Sequence, residues 1–123
     1  MPLTAAEFVK AKLEEQKERE NFQTFDDLLI RVRDSVLRPD SRLTPAIRKK
    51  FSVAVIDEFQ DTDPVQYETF HRVFAEREDP ALFLVGDPRQ AIYAFRGGDI
   101  ATYRRAVREC GAAGGVQYHL TDN

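Results

Sequence analysis

Tryptophan is absent from the 123 residues, cysteine and methionine occur once each, and histidine occurs twice. With Cys110 alone there is no internal disulfide framework and no cysteine-rich zinc site, which fits a reducing compartment. His71 and His119 stand apart in the sequence, and neither is read as a metal ligand. No apolar run approaches the ~20 residues needed to span a bilayer. The opening MPLTAAEFVKAKLEEQKERE carries charge throughout and lacks the apolar stretch of a signal peptide. These absences predict a cytoplasmic chain without a membrane partner. An excess of positive charge is also missing: the net charge is -3, so any contact with nucleic acid must come from a local face. No internal repeat and no low-complexity tract is found.

What is present is a globular composition, 42% hydrophobic and 32% charged, sized for one domain. Thr4 followed by Glu7 has capping-box spacing and predicts a first helix with a short stripe at Ala5, Phe8, Val9 and Leu13, ahead of the solvated run EEQKERE. Thr24 and Asp27 repeat the signal. Phe25, Leu28, Leu29, Val32 and Val36 then follow the rhythm of an amphipathic helix, broken at Pro39 and Asp40. LTPAIRKKF predicts a short helix capped by Thr44 with Pro45 at its first position. SVAVIDE and ALFLVGD, near residues 52–58 and 81–87, are continuous apolar runs of the kind found in parallel strands covered on both faces. Between them Asp63 and Pro64 start a helix with a buried stripe at Tyr67, Phe70, Val73 and Phe74. A last helix is expected from near Asp99, with Ile100, Tyr103, Val107 and Cys110 inward and glycines 111, 114 and 115 ending it, and VQYHL is expected to open a further strand. The fold class is therefore α/β, with parallel strands flanked by helices. Two or three such apolar strands need neighbours on their edges, so the sheet is expected to belong to a larger one.

The strand ends carry the chemistry. Ligands of open parallel sheets bind beyond the carboxyl ends of the strands, where Asp57 and Glu58 stand. An acid pair at that place suits nucleotide hydrolysis, one carboxylate holding Mg²⁺ and the other orienting or deprotonating water. Taken alone, it equally suits the capping of the following turn. The second strand end, GDPRQAIYAFRGGD, gathers Gln90, Tyr93, Phe95 and Arg96. Aromatics with an arginine can stack on exposed bases and meet phosphates, or they can be core residues of an irregular connection. Residues 31–50 are basic, with Arg31, Arg33, Arg38, Arg42, Arg48, Lys49 and Lys50. This run is read as a solvated helix face rather than a DNA contact.

Together VIDEFQDTDPVQ and LFLVGDPRQAIYAFRGGD resemble motifs II and III of superfamily 1 DNA helicases of the UvrD/RecB type, and TFDDLL resembles the segment ahead of motif II. The wording of both motifs is most similar to the RecB branch, the beta subunits of exodeoxyribonuclease V, with the AddA and UvrD branches close by. The resemblance spans residues 24–123 and implies the carboxyl-terminal part of a first RecA-like P-loop NTPase motor domain. Residues 1–23 are then a charged helical lead-in from an inserted subdomain. It implies Asp57 as the Mg²⁺ ligand, Glu58 as catalytic base and Gln90 as sensor of the γ-phosphate. Tyr93 and Phe95 would stack on single-stranded DNA, Arg96 would contact DNA or brace the loop, and Gln60 and Asp61 would support the motif. Phe95 stands where UvrD relatives often carry tryptophan. The cofactors implied are ATP and Mg²⁺. The partners implied are single- and double-stranded DNA, the remaining helicase domains and, for a RecB type, RecC- and RecD-like subunits.

Two departures accompany the match. No G-x-x-x-x-G-K-[ST] occurs and no glycine is followed by lysine, so the phosphate-cradling loop lies outside these residues. HLTDN resembles only the beginning of motif IV, before its arginine. The chain by itself is therefore expected to bind Mg-ATP weakly and to be inactive as an excised middle piece of the motor. Two further readings stand beside this one. One is a non-catalytic single-strand-binding domain derived from such a helicase, and the other is a metal-dependent nuclease using Asp57, Glu58 and Asp61, for which one strand end offers few converging ligands.

Overall fold

Order along the chain follows from local signals that the backbone obeys. The computed structural model describes residues 4–91 and 100–121. Helix α1 (Ala5–Glu20) starts at a capping box in which the Thr4 hydroxyl accepts from the Glu7 N–H and the Glu7 carboxylate accepts from the Thr4 N–H. Helix α2 (Phe25–Leu37) repeats it with Thr24 and Asp27. The Thr24 N–H and hydroxyl, with the Lys17 ammonium reaching across from α1, hold the Asp27 carboxyl down at about 2.

The stripes read on these two helices differ from what the structure buries. No described residue of α1 is buried, and on α2 only Val36 is, while Phe25, Leu28 and Val32 stay exposed. Periodicity marks a face able to be covered, and the Lys17–Asp27 ion pair links α1 to α2. Helix α3 (Leu43–Lys50) begins before the expected cap. Ser41 Oγ accepts from the Thr44 N–H, so Thr44 is free to turn inward, where its hydroxyl donates to the Val36 carbonyl at 3.0 Å.

Strands β1 (Ala54–Ile56) and β2 (Leu82–Leu84) pair in parallel, with Ala54 opposite Leu82, Val55 opposite Phe83 and Ile56 opposite Leu84. Parallel strands require a crossover. It is supplied by α4 (Pro64–Phe70), capped by Asp63 with Pro64 at its first turn, and by the π-helical turn His71–Ala75 that continues it. Tyr67, Val73 and Phe74 are buried as their spacing predicts. Val36, Val73 and Phe74 pack with Ile47, Ala54, Phe70 and Leu82, and Phe59, Tyr67 and Ala106 pack with Ile56, Leu84 and Tyr103. The other sheet face is bare: Val55 is 64% exposed and Phe83 58%. The expectation of strands covered on both faces is thus met on one face only, because the described residues place helices on that side alone.

Helix α5 (Ile100–Ala112) also turns differently from its predicted stripe. Thr102 and Ala106 are buried, whereas Ile100, Val107 and Cys110 are exposed. Thr102 and Ala106 let the helix approach Phe59 and Tyr67 closely, and Tyr103 of the predicted stripe packs against them, while Ile100, Val107 and Cys110 point away. The helix ends at Ala112 with Gly114 at φ +76°, and residues 115–121 are irregular rather than a strand.

The basic run is exposed as read at Arg31, Arg38, Arg42, Lys49 and Lys50, while Arg33 and Arg48 are partly buried. Arg48 donates to the carbonyls of Val73 at 2.7 Å, Arg72 at 2.8 Å and Glu76 at 2.7 Å, closing the end of the crossover. Arg33 pairs with Asp34 and Glu68. We expect Arg48→Ala to lower the unfolding free energy by about 2 kcal/mol, the scale of hydrogen bonds from a charged donor. Arg48→Lys should recover little of it, since an ammonium cannot reproduce the planar fork. Urea denaturation checks both.

Candidate functional site at the strand ends

Parallel pairing brings the carboxyl ends of β1 and β2 to one edge. The pairing continues past the strands: Val85 N–H donates to the Ile56 carbonyl at 2.8 Å and Phe59 N–H to the Val85 carbonyl at 2.9 Å. Between these bonds the chain must turn sharply, and Glu58 does so with φ +50° and ψ +43°, a conformation uncommon for a residue with a side chain. Backbone strain of this kind gathers at functional sites. Asp57 helps to hold the turn, its Oδ1 accepting from the Glu58 N–H at 2.8 Å. Asp57 and Glu58 are both exposed at the edge.

Gln60 lies beneath them, 2% exposed, on the 3-10 turn Phe59–Asp61. Its Nε2 donates to Glu58 Oε2, and its Oε1 accepts from the Asp87 N–H at 3.0 Å. The side chain thus spans the two strand ends. Gly86 makes room for it, because a Cβ there would stand 2.5 Å from Gln60 Oε1 and 3.0 Å from the Phe59 nitrogen. Asp61 is half-buried, and its Oδ1 is enclosed without a hydrogen-bond partner among the described residues. Beyond Gly86 the Asp87 carboxylate caps the 3-10 turn Pro88–Gln90, accepting from the Arg89 N–H at 2.9 Å. The Arg89 guanidinium, with that N–H, holds the Asp87 carboxyl below its usual range. Gln90 is exposed, its N–H donating to the Asp87 carbonyl at 3.0 Å. Tyr93, Phe95 and Arg96 lie outside the described residues.

The floor of this edge is aromatic. Phe59 meets Tyr67 edge-on, ring centroids 5.7 Å apart, and Tyr103 at 5.8 Å. The Tyr103 hydroxyl donates to the Gly86 carbonyl at 3.4 Å. The Tyr67 hydroxyl donates to Glu109 of α5, and Arg105 lies over the Tyr67 ring while donating to Glu109 at 2.8 Å. Burial, then Glu109, push the Tyr67 hydroxyl up, so it remains a donor. Burial alone would push the Glu109 carboxyl up, but the bonds from Tyr67 and Arg105 outweigh it and hold it down. His71 is not solitary in space: its ring nitrogens stand 3.2 Å from Glu76 and 3.6 Å from Glu109.

The sequence singled out Asp57, Glu58, Gln60, Asp61 and Gln90, and the structure sets all five along the two strand-end turns. Gly86 and the Tyr67–Glu109–Arg105 group were not anticipated. A glycine directly after an apolar strand does signal close backbone approach. No local pattern joins Tyr67 to a carboxylate 42 positions away. Among the described residues no group of three or more His, Cys, Asp or Glu side chains converges as a metal site, and no helix is long and apolar enough to cross a membrane.

This geometry belongs to a known lineage. The UvrD/REP helicase N-terminal domain family matches residues 3–111, and the chain belongs to that family. The RecBCD enzyme subunit RecB of Escherichia coli is 50% identical over 103 residues, 82% of this chain and 9% of that protein. The protein of the same name from Mycolicibacterium smegmatis is 47% identical over 109 residues, 89% of this chain and 10% of its own length. In Haemophilus influenzae the corresponding RecB is 36% identical over 118 residues, 94% of this chain. The chain therefore spans about a tenth of the curated relatives it matches. The likeness to UvrD/RecB-type helicases read from the two motifs holds over most of the chain.

Two outcomes follow for this edge. Gly86→Ala should cost about 1–3 kcal/mol of stability, as overpacking beside backbone does, measured by urea denaturation. Since the folded-state pKa of Glu109 lies below the ordinary value of 4.5, its stabilising contribution is complete above that pH. It is lost as pH falls through the lower folded-state value. Glu109→Gln should make the acid-side loss of stability shallower, as read from denaturation midpoints across an acid pH series.

Proposed function

We propose that this chain is part of the motor of an ATP-dependent DNA helicase of the RecB type, and that its strand-end edge is the share it contributes to ATP hydrolysis. In this reading residues 24–123 form the carboxyl-terminal part of the first RecA-like domain, and residues 1–23 lead in from an inserted subdomain. The whole protein would act in the cytoplasm on single- and double-stranded DNA in recombinational repair, as a helicase and exonuclease subunit with RecC- and RecD-like partners. The observation that carries the reading is the linkage of Glu58, through the buried Gln60 amide, to the Asp87 N–H of the Gly86–Gln90 segment, with Asp57 beside it at one edge of a parallel pair.

The residues present fit Mg²⁺ bound mainly through phosphates and water. Asp57 offers an exposed carboxylate with only one oxygen engaged among the described residues, and such ions usually take one or two carboxylates plus phosphate oxygens. When bound, the ion neutralises charge developing on the phosphates. Glu58 orients a water against the γ-phosphorus and takes its proton as the new P–O bond forms and ADP leaves. The Gln60 amide holds the Glu58 carboxylate on one side, which leaves its other oxygen for that water. Gln90, exposed on the turn that Gln60 anchors, senses the γ-phosphate. Tyr93 and Phe95 stack on bases, Arg96 contacts DNA or braces the loop, and Asp61 supports the turn. The phosphate-cradling loop comes from outside these residues, so the 123-residue chain alone binds Mg-ATP weakly and is inactive.

In the full-length protein carrying this chain, Glu58→Gln should reduce the kcat of DNA-stimulated ATP hydrolysis by about 100-fold or more, the usual contribution of a general base. ATP binding, followed with a fluorescent analogue, should be retained. Asp57→Ala should raise the Mg²⁺ concentration needed for turnover. Wild-type rates in both variants would contradict the reading.

A further inference from the structure

The Gln60 carboxamide has two partners, and they sit on different strand ends. The geometry points to Gln60 as a positioning residue that fixes the Glu58 carboxylate relative to the Asp87 backbone, so that the acid and the Gly86–Gln90 segment keep one registry. This rests on the hydrolytic role proposed for Glu58.

Three observations converge. Gln60 is 2% exposed, and a buried carboxamide must find partners or incur the cost of desolvation. Its two ends serve different functions: Nε2 donates to the carboxylate of Glu58, while Oε1 accepts from the N–H of Asp87. The amide orientation is consistent with this, since a carboxylate can only accept and a backbone N–H can only donate. Finally, Gly86 lacks the Cβ that would strike Oε1, so the second strand end is shaped to admit this side chain.

The consequence is mechanical. Glu58 is exposed and sits in a left-handed conformation, and a long side chain there has rotamer freedom. The bond from Gln60 removes that freedom on one carboxylate oxygen. The same amide anchors Asp87, which caps the turn bearing Gln90. Displacement of one end is therefore transmitted to the other through a single buried group, across two bonds and no solvent.

The test separates the two ends of the amide in the full-length protein. Gln60→Glu keeps an acceptor for Asp87 but places a like charge against Glu58. Its kcat for ATP hydrolysis should fall by about 100-fold, the scale of a misplaced catalytic group. KM for ATP should stay within about 2-fold, and hydrogen exchange of the peptide containing the Asp87 amide should be unchanged. Gln60→Met, apolar and of similar length, keeps the core filled if the glutamate variant fails to fold. It should lose kcat to a similar degree and also exchange the Asp87 amide faster. A Gln60→Glu or Gln60→Met protein that turns over at the wild-type rate, while Glu58→Gln is inactive, overturns the positioning role and leaves the reading of Glu58 intact. Wild-type turnover in Glu58→Gln removes the reading itself and this inference with it.

Discussion

A buried primary amide is costly unless each of its ends is bonded, and at Gln60 that requirement sets the geometry of the whole edge. Only a sharp turn after β1 can bring a carboxylate back over its Nε2, and only a second strand end in parallel register can present an N–H to its Oε1. The left-handed Glu58, the absent side chain at Gly86 and the parallel pairing of Ala54–Ile56 with Leu82–Leu84 all serve those two bonds. Removing any one of them strands a polar group in the interior.

The crossover that makes parallel pairing possible is held from both sides. On one side Arg48 satisfies three carbonyls at the end of the π-helical turn. On the other, Tyr67 projects from α4 beneath Phe59 and fixes α5 through Glu109 and Arg105. Tyr67 joins apolar packing under the candidate site to a charged network on the outer helices, so α5 is docked by polar bonds over a small-residue contact at Thr102 and Ala106. The uncovered sheet face at Val55 and Phe83 is an apolar surface of the kind that further parts of a longer polypeptide ordinarily bury. A chain spanning about a tenth of its relatives fits that arrangement.

Signals that act over a few residues were legible in the sequence. The Thr4, Thr24 and Asp63 caps, the Pro64 helix start, the two apolar strands and the Tyr67–Phe74 stripe all appear where the pattern set them. Signals that depend on what covers a face were not. The stripe of α1 lies open, that of α2 is fully covered only at Val36, and α5 is turned so that Cys110 faces outward. Periodicity records which side of a helix is apolar, not whether a neighbour reaches it. The acid pair of the candidate site was visible because a strand followed by Asp-Glu is a local arrangement. The pair of hydrogen bonds at Gln60 was not, since one of them depends on a partner 27 positions away. The family membership came from the order and length of two motifs, a stronger signal than either strand end alone.

In the proposed reading one nucleotide site is built where these two strand ends meet. The most direct measurement is a structure of the full-length protein with Mg²⁺ and a non-hydrolysable ATP analogue. The metal is expected beside Asp57, a water between Glu58 and the γ-phosphate, and Gln60 still bonded to both Glu58 and the Asp87 N–H. A nucleotide bound away from this edge, or a Gln60 side chain withdrawn from both partners, would contradict it.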